Sequence, residues 1–473
     1  MLQRELQESV SNLLHKDRNM ENVYFIGIGG IGMSAIARYY KHAGYNVSGY
    51  DKTESKLTRA LESEGIAVHY TDDISFIPKE VDETLVIYTP AIPKEMHELV
   101  YVTEKGYKVV KRSKALGTIA DGQFTLAVAG THGKTTTSTL LSHIYTESGT
   151  GCSAFLGGIS KNYRSNLILS KNRVLVAEAD EFDRSFLQLY PDIAVITSTD
   201  ADHLDIYGDK ETLREAFREF ASQIKESGYL ILKKGVELNR EGIKAKIYSY
   251  SFNEEADFSP VNTEIAEGGY FKFDLKYPGG IIENCVMGVP GWINCENGIA
   301  AAAAALLGGV GPEKVKGALK SFRGVERRMD IHINTPEIAY IDDYAHHPKE
   351  IASAIGSIRN IFPGRKVCGI FQPHLYTRTR DFAKEFAQSL SLLDELILLD
   401  IYPAREEPIP GVDSELIFKD VTIKDKFLIE KEELMDFLSK KDTDILVTFG
   451  AGNIDRFIVP IEELLKTRIA KNG

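Results

Sequence analysis

The stretch FIGIGGIGMSAIA, residues 25–37, determines the fold of the N-terminal part of the chain. An apolar strand leads into Gly27, Gly29 and Gly32, whose spacing is G-x-G-x-x-G, and a helix-forming segment follows them. Asp51 stands at the end of the next predicted strand. This arrangement predicts a Rossmann-like fold in which the N-terminus of the helix binds the diphosphate of a nucleotide. Residues 27–32 are called the glycine-rich loop below.

A second phosphate-binding motif lies in AVAGTHGKTTTSTL, which again joins a predicted strand to a helix. Gly130 and Gly133 allow the backbone to approach phosphate oxygens. Lys134 can reach the terminal phosphates, and the hydroxyl of Thr135 can hold Mg²⁺. The motif, residues 130–136, is called the P-loop below and predicts ATP binding. The first motif, G-x-G-x-x-G, fits any diphosphate and does not by itself indicate NAD. With a second phosphate-binding motif in the chain, an NAD-dependent enzyme is a weaker prediction but stays an alternative.

The bulk composition excludes several classes of protein. The chain has 473 residues, of which 43% are hydrophobic and 26% charged, which is typical of a globular protein of roughly three domains. A net charge of −12 argues against a general nucleic-acid or anionic-membrane surface. The N-terminal segment lacks the apolar core of a signal peptide, so we expect a cytoplasmic protein without membrane insertion. The cysteines lack zinc-ligand spacing and are expected to be buried free thiols: Cys152, Cys285, Cys295 and Cys368.

The order of strands and helices predicts an α/β protein of three domains. A Rossmann-like domain over residues 1–122 precedes a central P-loop domain over residues 123–328. Alternating apolar and polar residues between roughly 247 and 290 predict a β-hairpin region within the central domain. Apolar strands EIAYIDDYA, KVCGIFQPH, ELILLDIYP and DILVTFGAG predict a second Rossmann-like domain over residues 329–473.

Carboxylates and a histidine follow two central strands. Glu178 ends one strand, and His203 follows the next within DADHLD. Mg²⁺ prefers hard oxygen ligands and needs only one or two protein groups when it bridges phosphates. One carboxylate and one imidazole beside the P-loop are therefore predicted as metal ligands; the alternative for each acidic residue here is a solvated loop residue.

Between Tyr24 and Asp455, an ordered set of motifs resembles the Mur ligases of peptidoglycan synthesis, in particular the branch that adds L-alanine. The motifs are GIGGIGMSAIA, GTHGKTT, EADEFDRSFL, DHLDIYG, NCENGIAAA, ERRMD, DDYAHHPKE and FQPHLYTRTRDF. The resemblance implies that the first domain binds UDP-N-acetylmuramate and not NAD. It also implies that ATP phosphorylates the substrate carboxylate and that the amine of L-alanine then attacks the acyl phosphate, with Mg²⁺ or Mn²⁺ as cofactor.

The resemblance also assigns roles to individual residues. The UDP-sugar would be bound by Gly27, Gly29, Gly30, Ile31, Gly32, Asp51 and Thr89. ATP would be bound by Gly130, Thr131, His132, Gly133, Lys134, Thr135, Thr136, Asn294, Asn297, Arg327, Asp343 and His346. The metal ligands would be Thr135, Glu178 and His203; the catalytic residues Lys134, His203, His374 and Arg378; and the amino-acid site Tyr344, His374 and Arg378.

Two positions depart from the pattern of the family, and several alternatives stay open. Ile293 and Leu375 replace a His and an Arg that many relatives carry, and the second replacement puts one amino-acid contact in doubt. Two adjacent histidines on a strand would point to opposite faces, so only one of His346 and His347 is expected to act. The alternatives are a recycling ligase that adds a tripeptide to the same UDP-sugar, an NAD(P)-dependent oxidoreductase, and a catalytically silent nucleotide-binding regulator.

Overall fold

The computed structural model describes residues 20–202, 204–404 and 406–472. These residues divide into two compact units. The first unit extends to Thr263 and also includes Phe273–Gly288 and Glu296–Arg323. The second unit consists of Glu264–Lys272, Val289–Cys295 and the chain from Gly324 onward.

The N-terminal part of the first unit is a parallel sheet with helices. Its elements are β1 (Asn22–Ile26), α1 (Ile31–His42), β2 (Asn46–Tyr50), α2 (Lys56–Ser63), β3 (Ala67–His69), β4 (Thr84–Tyr88), α3 (His97–Glu104), β5 (Lys108–Lys111) and α4 (Arg112–Ala120). The strand order is β3-β2-β1-β4-β5. The direction of winding reverses between β1 and β4, and a doubly wound sheet binds ligands beyond the carboxyl ends of the strands at such a point. The glycine-rich loop follows β1 and therefore lies there.

The central part of the first unit contains the P-loop. Its elements are β6 (Phe124–Ala129), α5 (Lys134–Glu147), β7 (Ser153–Ser160), β8 (Ser165–Ile168), β9 (Val174–Glu178), β10 (Ile193–Ile196), α6 (Leu204–Tyr207), α7 (Lys210–Ser222), β11 (Tyr229–Lys233) and β12 (Lys246–Tyr250). The strand order is β12-β11-β10-β6-β9-β7-β8, and only the β7–β8 pair among these described strands is antiparallel. The P-loop follows β6, which lies between β10 and β9.

The predicted hairpin region forms a separate small sheet. Its elements are β13 (Ser259–Ala266), β14 (Tyr270–Tyr277) and β15 (Gly280–Val286), in the order β13-β14-β15. The helices α8 (Trp292–Leu307) and α9 (Pro312–Ser321) follow. The run of alanines in α8 is fully buried, as expected for a helix that is apolar on all sides.

The two sheets of the first unit share one apolar core, which includes Phe25 and Ala37 as well as Phe155 and Ala177. Polar contacts also attach α1 to β8. The side chain of Asn166 donates to the carbonyl of Ile31 (2.6 Å) and to Ser34 Oγ (2.9 Å), and it accepts from Arg38 (2.5 Å). Since these contacts involve the first turns of α1, they hold the start of that helix relative to the central sheet.

The second unit contains the C-terminal sheet. Its elements are β16 (Asp330–Asn334), β17 (Ala339–Asp343), α10 (Pro348–Ile361), β18 (Val367–Phe371), α11 (Tyr376–Leu390), β19 (Glu395–Leu398), α12 (Glu415–Phe418), β20 (Lys426–Leu428), α13 (Leu434–Ser439), β21 (Ile445–Phe449) and α14 (Ile458–Asn472). The strand order is β16-β17-β21-β18-β19-β20, with β16 antiparallel to β17. Apolar clusters cover both faces, which explains the continuous apolar runs in these strands.

The predicted α/β class, the hairpin region and the C-terminal strands are therefore confirmed. The domain boundaries at residues 122 and 328 stay predictions. The four cysteines are buried and free, as predicted. Among the residues described, no helix is sufficiently long and apolar to cross a membrane.

A buried polar cluster beneath β1 was not predicted. Tyr24 Oη donates to Glu98 Oε2 (2.7 Å) and also lies 2.7 Å from His69 Nε2. The His69 Nδ1 atom lies 2.8 Å from the carbonyl of Thr71, which can only accept, so Nδ1 carries a proton. Burial outweighs the hydrogen bonds from Tyr24 and from the Asp73 N–H and raises the pKa of Glu98 to about 7. The single hydroxyl proton of Tyr24 cannot serve both acceptors; when Glu98 is protonated, Glu98 can donate to Tyr24, and Tyr24 can then donate to His69.

This cluster predicts a pH-dependent stability. The pKa of Glu98 rises from 4.5 to about 7 on folding, so its contribution is fully present below pH 4.5 and is lost as the pH rises through about 7. Glu98→Gln should abolish that slope, so that the melting temperature of the wild type relative to the variant falls between pH 5 and pH 8. Glu104→Gln, at the exposed end of the same helix, is the control. If the difference in melting temperature between wild type and Glu98→Gln were the same at pH 5 and at pH 8, the raised pKa of Glu98 would be contradicted.

Candidate functional site

The structure brings together the residues predicted for the UDP-sugar. The backbone N–H groups of Gly27 and Ile28 donate to the carbonyl of Tyr50 (2.8 and 2.9 Å), and Gly30 is the N-cap of α1. Thr89, at the end of β4, donates its N–H to the carbonyl of Ile26 (3.4 Å). The first turn of α1 contains no acidic residue, and among the described residues no side chain caps it. This end of the helix is therefore suited to an anion.

Asp51 is engaged within the glycine-rich loop. Its Oδ2 atom accepts the N–H of Gly29 (2.8 Å), and its Oδ1 atom accepts the N–H of Thr53 (3.1 Å). The carboxylate therefore holds the loop in place through its backbone. That Asp51 also lies near the bound nucleotide of the UDP-sugar stays a prediction.

The P-loop is held by hydroxyl residues that follow β10. Ser198 Oγ accepts the N–H of His132 (2.9 Å) and lies 2.8 Å from Thr131 Oγ1. Thr197 donates to the carbonyls of Ala129 and His132. Sequence reasoning missed Thr197 and Ser198. Their position directly after a strand that pairs with β6 was the available signal.

Helix α5 begins at the P-loop through a left-handed residue. Gly133 is its N-cap, with φ 81° and ψ −7°. A Cβ atom on this glycine would lie 2.7 Å from Asn297 Oδ1, which is too close for an ordinary contact. Thr135 and Thr136 are buried in the first turn of the helix. The structure therefore places Asn297, a residue predicted for ATP, directly against the P-loop.

Lys134 forms a buried ion pair that the sequence did not single out. Its Nζ donates to both carboxylate oxygens of Glu181 (2.9 and 2.8 Å) and to the carbonyl of Gly130 (2.6 Å), so all three ammonium protons are directed at acceptors. Glu181 is fully buried. Burial acts to lower the pKa of Lys134, but the carboxylates of Glu181, Asp180 and Glu178 outweigh it and raise that pKa. Lys134 therefore remains a cation.

Thr135 and Glu178, two of the three predicted metal ligands, lie next to each other. Thr135 Oγ1 donates to Glu178 Oε1 (3.1 Å), and Glu178 Oε2 accepts the N–H of Gly157 (3.0 Å). A hydroxyl and a carboxylate are oxygen donors of the kind that Mg²⁺ prefers. The third predicted ligand, His203, lies outside the described residues. Within the described part of the chain, no group of three or more His, Cys, Asp or Glu residues is arranged to hold a metal.

In the second unit, several predicted residues form one aromatic and cationic cluster. The guanidinium of Arg327 lies 5.1 Å from the ring centre of Tyr344, whose ring is 5.3 Å from that of His346. The ring of His346 is 6.1 Å from that of His374, which stacks on Tyr402 at 5.7 Å. The structure thus assembles Arg327, Tyr344, His346 and His374, which are called the C-terminal cluster below.

Arg327 and Asp343 have contacts of their own within this unit. Arg327 Nε donates to the buried Asp342 (3.0 Å), and Nη2 donates to the carbonyl of Gly450 (2.7 Å). Asp343 accepts backbone N–H groups of Met329 (2.7 Å) and Ala345 (2.8 Å). Burial raises the pKa of Asp343 to about 6, although Arg328 and these hydrogen bonds oppose the rise. Both side chains therefore shape the loops after β17 and β21.

The expectation about the paired histidines rested on a wrong premise. Strand β17 ends at Asp343, so neither His346 nor His347 lies on a strand. His347 is the N-cap of α10, and its side chain accepts the N–H of Lys349 (3.3 Å). Pro348 occupies the first position of the helix, to which its fixed φ is suited. His346 lies in the preceding loop and is part of the C-terminal cluster.

The remaining predicted residues occupy the starts of two helices. Asn294 is in the first turn of α8 and donates to the carbonyl of Pro290 (2.7 Å). Arg378 is buried in the first turn of α11. Leu375, which replaces the arginine of many relatives, is buried at the start of the same helix with φ 74°.

Comparison with known proteins places these sites in a family. Residues 22–124 match the family model described as "Mur ligase family, catalytic domain". Residues 128–305 match the model "Mur ligase middle domain". Residues 327–452 match the model "Mur ligase, glutamate ligase domain". The chain belongs to the Mur ligase family. The resemblance inferred from the motifs is thereby confirmed.

Relatives match this Mur ligase along almost its whole length. It is 52% identical over 456 residues to a UDP-N-acetylmuramate–L-alanine ligase of Parabacteroides distasonis, covering 95% of this chain and 98% of the relative. It is 50% identical over 455 residues to the ligase of the same name in Porphyromonas gingivalis, covering 95% of this chain and 100% of the relative.

Solved structures agree with the fold of this Mur ligase. UDP-N-acetylmuramate–alanine ligase MurC of Thermotoga maritima has a TM-score of 0.80 at 26% identity, covering 96% of this chain and 100% of that one. A murein peptide ligase of Psychrobacter arcticus has a TM-score of 0.71 at 22% identity, covering 94% and 98%, and this likeness concerns the fold alone.

The geometry of the P-loop predicts a specific effect of a single methyl group. Gly133→Ala should weaken ATP binding at least tenfold, about 1.4 kcal/mol, because the new Cβ displaces either the loop or Asn297. Gly149→Ala is the matched control, since Gly149 follows the same helix with φ 84° and, among the described residues, has no atom within 4 Å of its Cβ position. Both variants bear the same left-handed strain, about 1–2 kcal/mol.

Binding of a fluorescent ATP analogue and the melting temperature are measured for both variants. Equal ATP affinity of Gly133→Ala and Gly149→Ala would show that the close approach of Asn297 has no role in the ATP site.

Proposed function

We propose that this Mur ligase joins L-alanine to the lactyl carboxylate of UDP-N-acetylmuramate, with conversion of ATP to ADP and phosphate. The observation that carries the proposal is the 52% identity over 456 residues to a UDP-N-acetylmuramate–L-alanine ligase. The alanine-adding activity predicted from the motifs is supported by such relatives, whereas the oxidoreductase and the recycling ligase are not. The reaction belongs to the synthesis of peptidoglycan precursors.

The P-loop supplies the groups that activation of the carboxylate requires. A carboxylate is a poor acyl donor, and transfer of the ATP γ-phosphate makes it a reactive acyl phosphate. Phosphoryl transfer depends on positioning and on neutralisation of charge more than on covalent help from the protein. Lys134 is a permanent cation at the start of α5 and is directed by Gly130 and Glu181. We assign to it the neutralisation of the phosphate that is transferred.

We assign a divalent metal ion to Thr135 and Glu178. Their oxygen atoms are 3.1 Å apart, and the second carboxylate oxygen of Glu178 is already oriented by the N–H of Gly157. Mg²⁺ accepts few protein ligands when water and phosphates complete its shell, so this pair fits the ion. The metal would neutralise phosphate charge when bound. His203 is the proposed ligand of a second ion, and Mn²⁺ could replace Mg²⁺.

The remaining substrate sites follow from the other clusters. The diphosphate of the UDP-sugar is assigned to the glycine-rich loop, because among the described residues no side chain caps the start of α1 and its first turn contains no acidic residue. L-alanine is assigned to Tyr344, His374 and Arg378, since a guanidinium can bind a carboxylate through two parallel hydrogen bonds. The acyl phosphate is then attacked by the amine, and phosphate leaves the tetrahedral intermediate.

The test of this function is phosphate release from Mg·ATP and UDP-N-acetylmuramate. L-alanine, D-glutamate, the L-Ala-γ-D-Glu-diaminopimelate tripeptide and no amine are compared, and the mass of the UDP-sugar product is determined. We expect release with L-alanine only, together with the mass increase of one alanine residue. Release with the tripeptide alone would assign the chain to the recycling ligases, and release with no amine tested would overturn the proposal.

The assigned role of Lys134 predicts a separation of binding from turnover. Lys134→Ala should lower kcat by far more than tenfold but leave the affinity for UDP-N-acetylmuramate unchanged, because the two phosphate sites follow different sheets. The single variant leaves Glu181 buried without its cation, so Lys134→Ala/Glu181→Gln serves as a second variant that removes both charges. A kcat above one tenth of wild type in either variant, a barrier increase below about 1.4 kcal/mol, would contradict the role.

A further inference from the structure

One arginine of the first unit packs on the glycine-rich loop and pairs with a carboxylate in the segment that contacts the P-loop. Arg112 is the first residue of α4, and its side chain is 18% exposed. Its guanidinium packs directly on Gly32 in the first turn of α1. A Cβ atom at Gly32 would lie 2.8 Å from Arg112 Nη1 and 3.4 Å from Arg112 Cδ. The glycine at this position therefore makes room for the arginine, beside the predicted diphosphate site.

The other side of the same guanidinium reaches the acidic segment, residues 178–183, that serves the P-loop. Arg112 Nη2 donates to Asp180 Oδ2 (3.1 Å), and Asp180 Oδ1 accepts the N–H of Phe182 (3.1 Å). The carboxylate of Asp180 is therefore held in one orientation. Asp180 lies between Glu178, which contacts Thr135, and Glu181, which is paired with Lys134. A displacement of Asp180 would move both neighbours.

We propose that Arg112 positions the UDP-sugar for reaction. Its guanidinium binds an oxyanion of that substrate beside the glycine-rich loop, while Asp180 holds it relative to Lys134. This inference rests on the proposed function and names a residue that neither phosphate motif contains. The oxyanion is either the diphosphate or the lactyl carboxylate, and both have the geometry that a guanidinium fork recognises.

Two physical arguments support this role over that of an ordinary ion pair. The guanidinium adds positive charge beside the positive end of α1, and the two together favour an oxyanion at this place. Moreover, the carboxylate of a bound UDP-sugar must be presented to the phosphate held by Lys134, and a misplacement of 1 Å in such reactions can cost about 100-fold in rate. Arg112, which packs on the glycine-rich loop and is held by the acidic segment, meets this requirement.

The neighbouring ion pair provides a matched control. Lys111 Nζ donates to Asp183 Oδ2 (2.8 Å), so it joins the same strand–helix junction to the same acidic segment. These two side chains are 47% and 32% exposed, and such exposed pairs contribute little. Lys111→Ala therefore removes one positive charge from the same place without removing the group that packs on Gly32.

Binding is measured first, by calorimetry on the full-length protein without ATP. The ligands are UDP, UDP-N-acetylglucosamine and UDP-N-acetylmuramate, and the proteins are wild type, Arg112→Ala, Arg112→Lys and Lys111→Ala. We expect Arg112→Ala to weaken UDP-N-acetylmuramate binding at least tenfold and Lys111→Ala to weaken it less than twofold. Arg112→Lys keeps the charge but not the fork, so it should recover only part of the affinity.

The three ligands distinguish the two oxyanions. A loss for all three identifies the diphosphate as the partner of Arg112, whereas a loss for UDP-N-acetylmuramate alone identifies the lactyl carboxylate. If the Arg112→Ala variant has the same affinity for all three ligands as the Lys111→Ala variant, and only the melting temperature of Arg112→Ala falls, Arg112 is a structural residue and the proposal is wrong. Wild-type protein that binds none of them would overturn the proposed function instead.

Steady-state kinetics test whether Asp180 anchors Arg112 during catalysis. Asp180→Asn should keep the KM for UDP-N-acetylmuramate within threefold but lower kcat at least fivefold, because the substrate is still bound and is no longer held relative to Lys134. A kcat equal to that of wild type would show that Asp180 does not anchor Arg112 for catalysis.

Discussion

The buried ion pair between Lys134 and Glu181 is the interaction on which the rest of the active site depends. Removing two charges from water is costly, and only good geometry with further hydrogen bonds offsets that cost. Here both carboxylate oxygens of Glu181 and the carbonyl of Gly130 accept from the ammonium group. The hydroxyl of Tyr207 also donates to the carbonyl of Glu181 (2.5 Å), which fixes the backbone of the acidic segment.

The acidic segment thereby connects the groups that the reaction requires. Glu178 reaches Thr135, Asp180 reaches Arg112, and Glu181 reaches Lys134. The fold makes this possible because β9, which leads into the segment, pairs directly with β6, which leads into the P-loop. The start of α1 is attached to the same central sheet through Asn166, so the two phosphate-binding loops belong to one packed body. In that body the orientation of one side chain affects several others.

In the second unit, too, predicted ligand-binding side chains are held by contacts within the protein. Arg327 and Asp343 are held by Asp342, Gly450 and backbone N–H groups before any ligand is present. Such contacts orient a side chain but also occupy some of its donors or acceptors. A role for Arg327 or Asp343 in ATP binding therefore involves either its remaining groups or an exchange of these partners.

The amino-acid sequence alone is sufficient to predict the family, the α/β class and both phosphate-binding loops. These properties depend on local rules: glycine spacing after an apolar strand, followed by a helix N-terminus, folds in the same way wherever it occurs. The adjacent positions of Lys134 and Thr135 follow from the same local rules, whereas Glu178, 43 residues from Thr135, is predicted from its position at a strand end and from the resemblance to the family. Only the tertiary structure selected Glu181 among several nearby acids, placed Thr197 and Ser198 under the P-loop, and paired Arg112 with Asp180. Those partners lie 47 to 68 residues apart along the chain, and strand pairing in the folded sheets, which no local pattern encodes, brings them together.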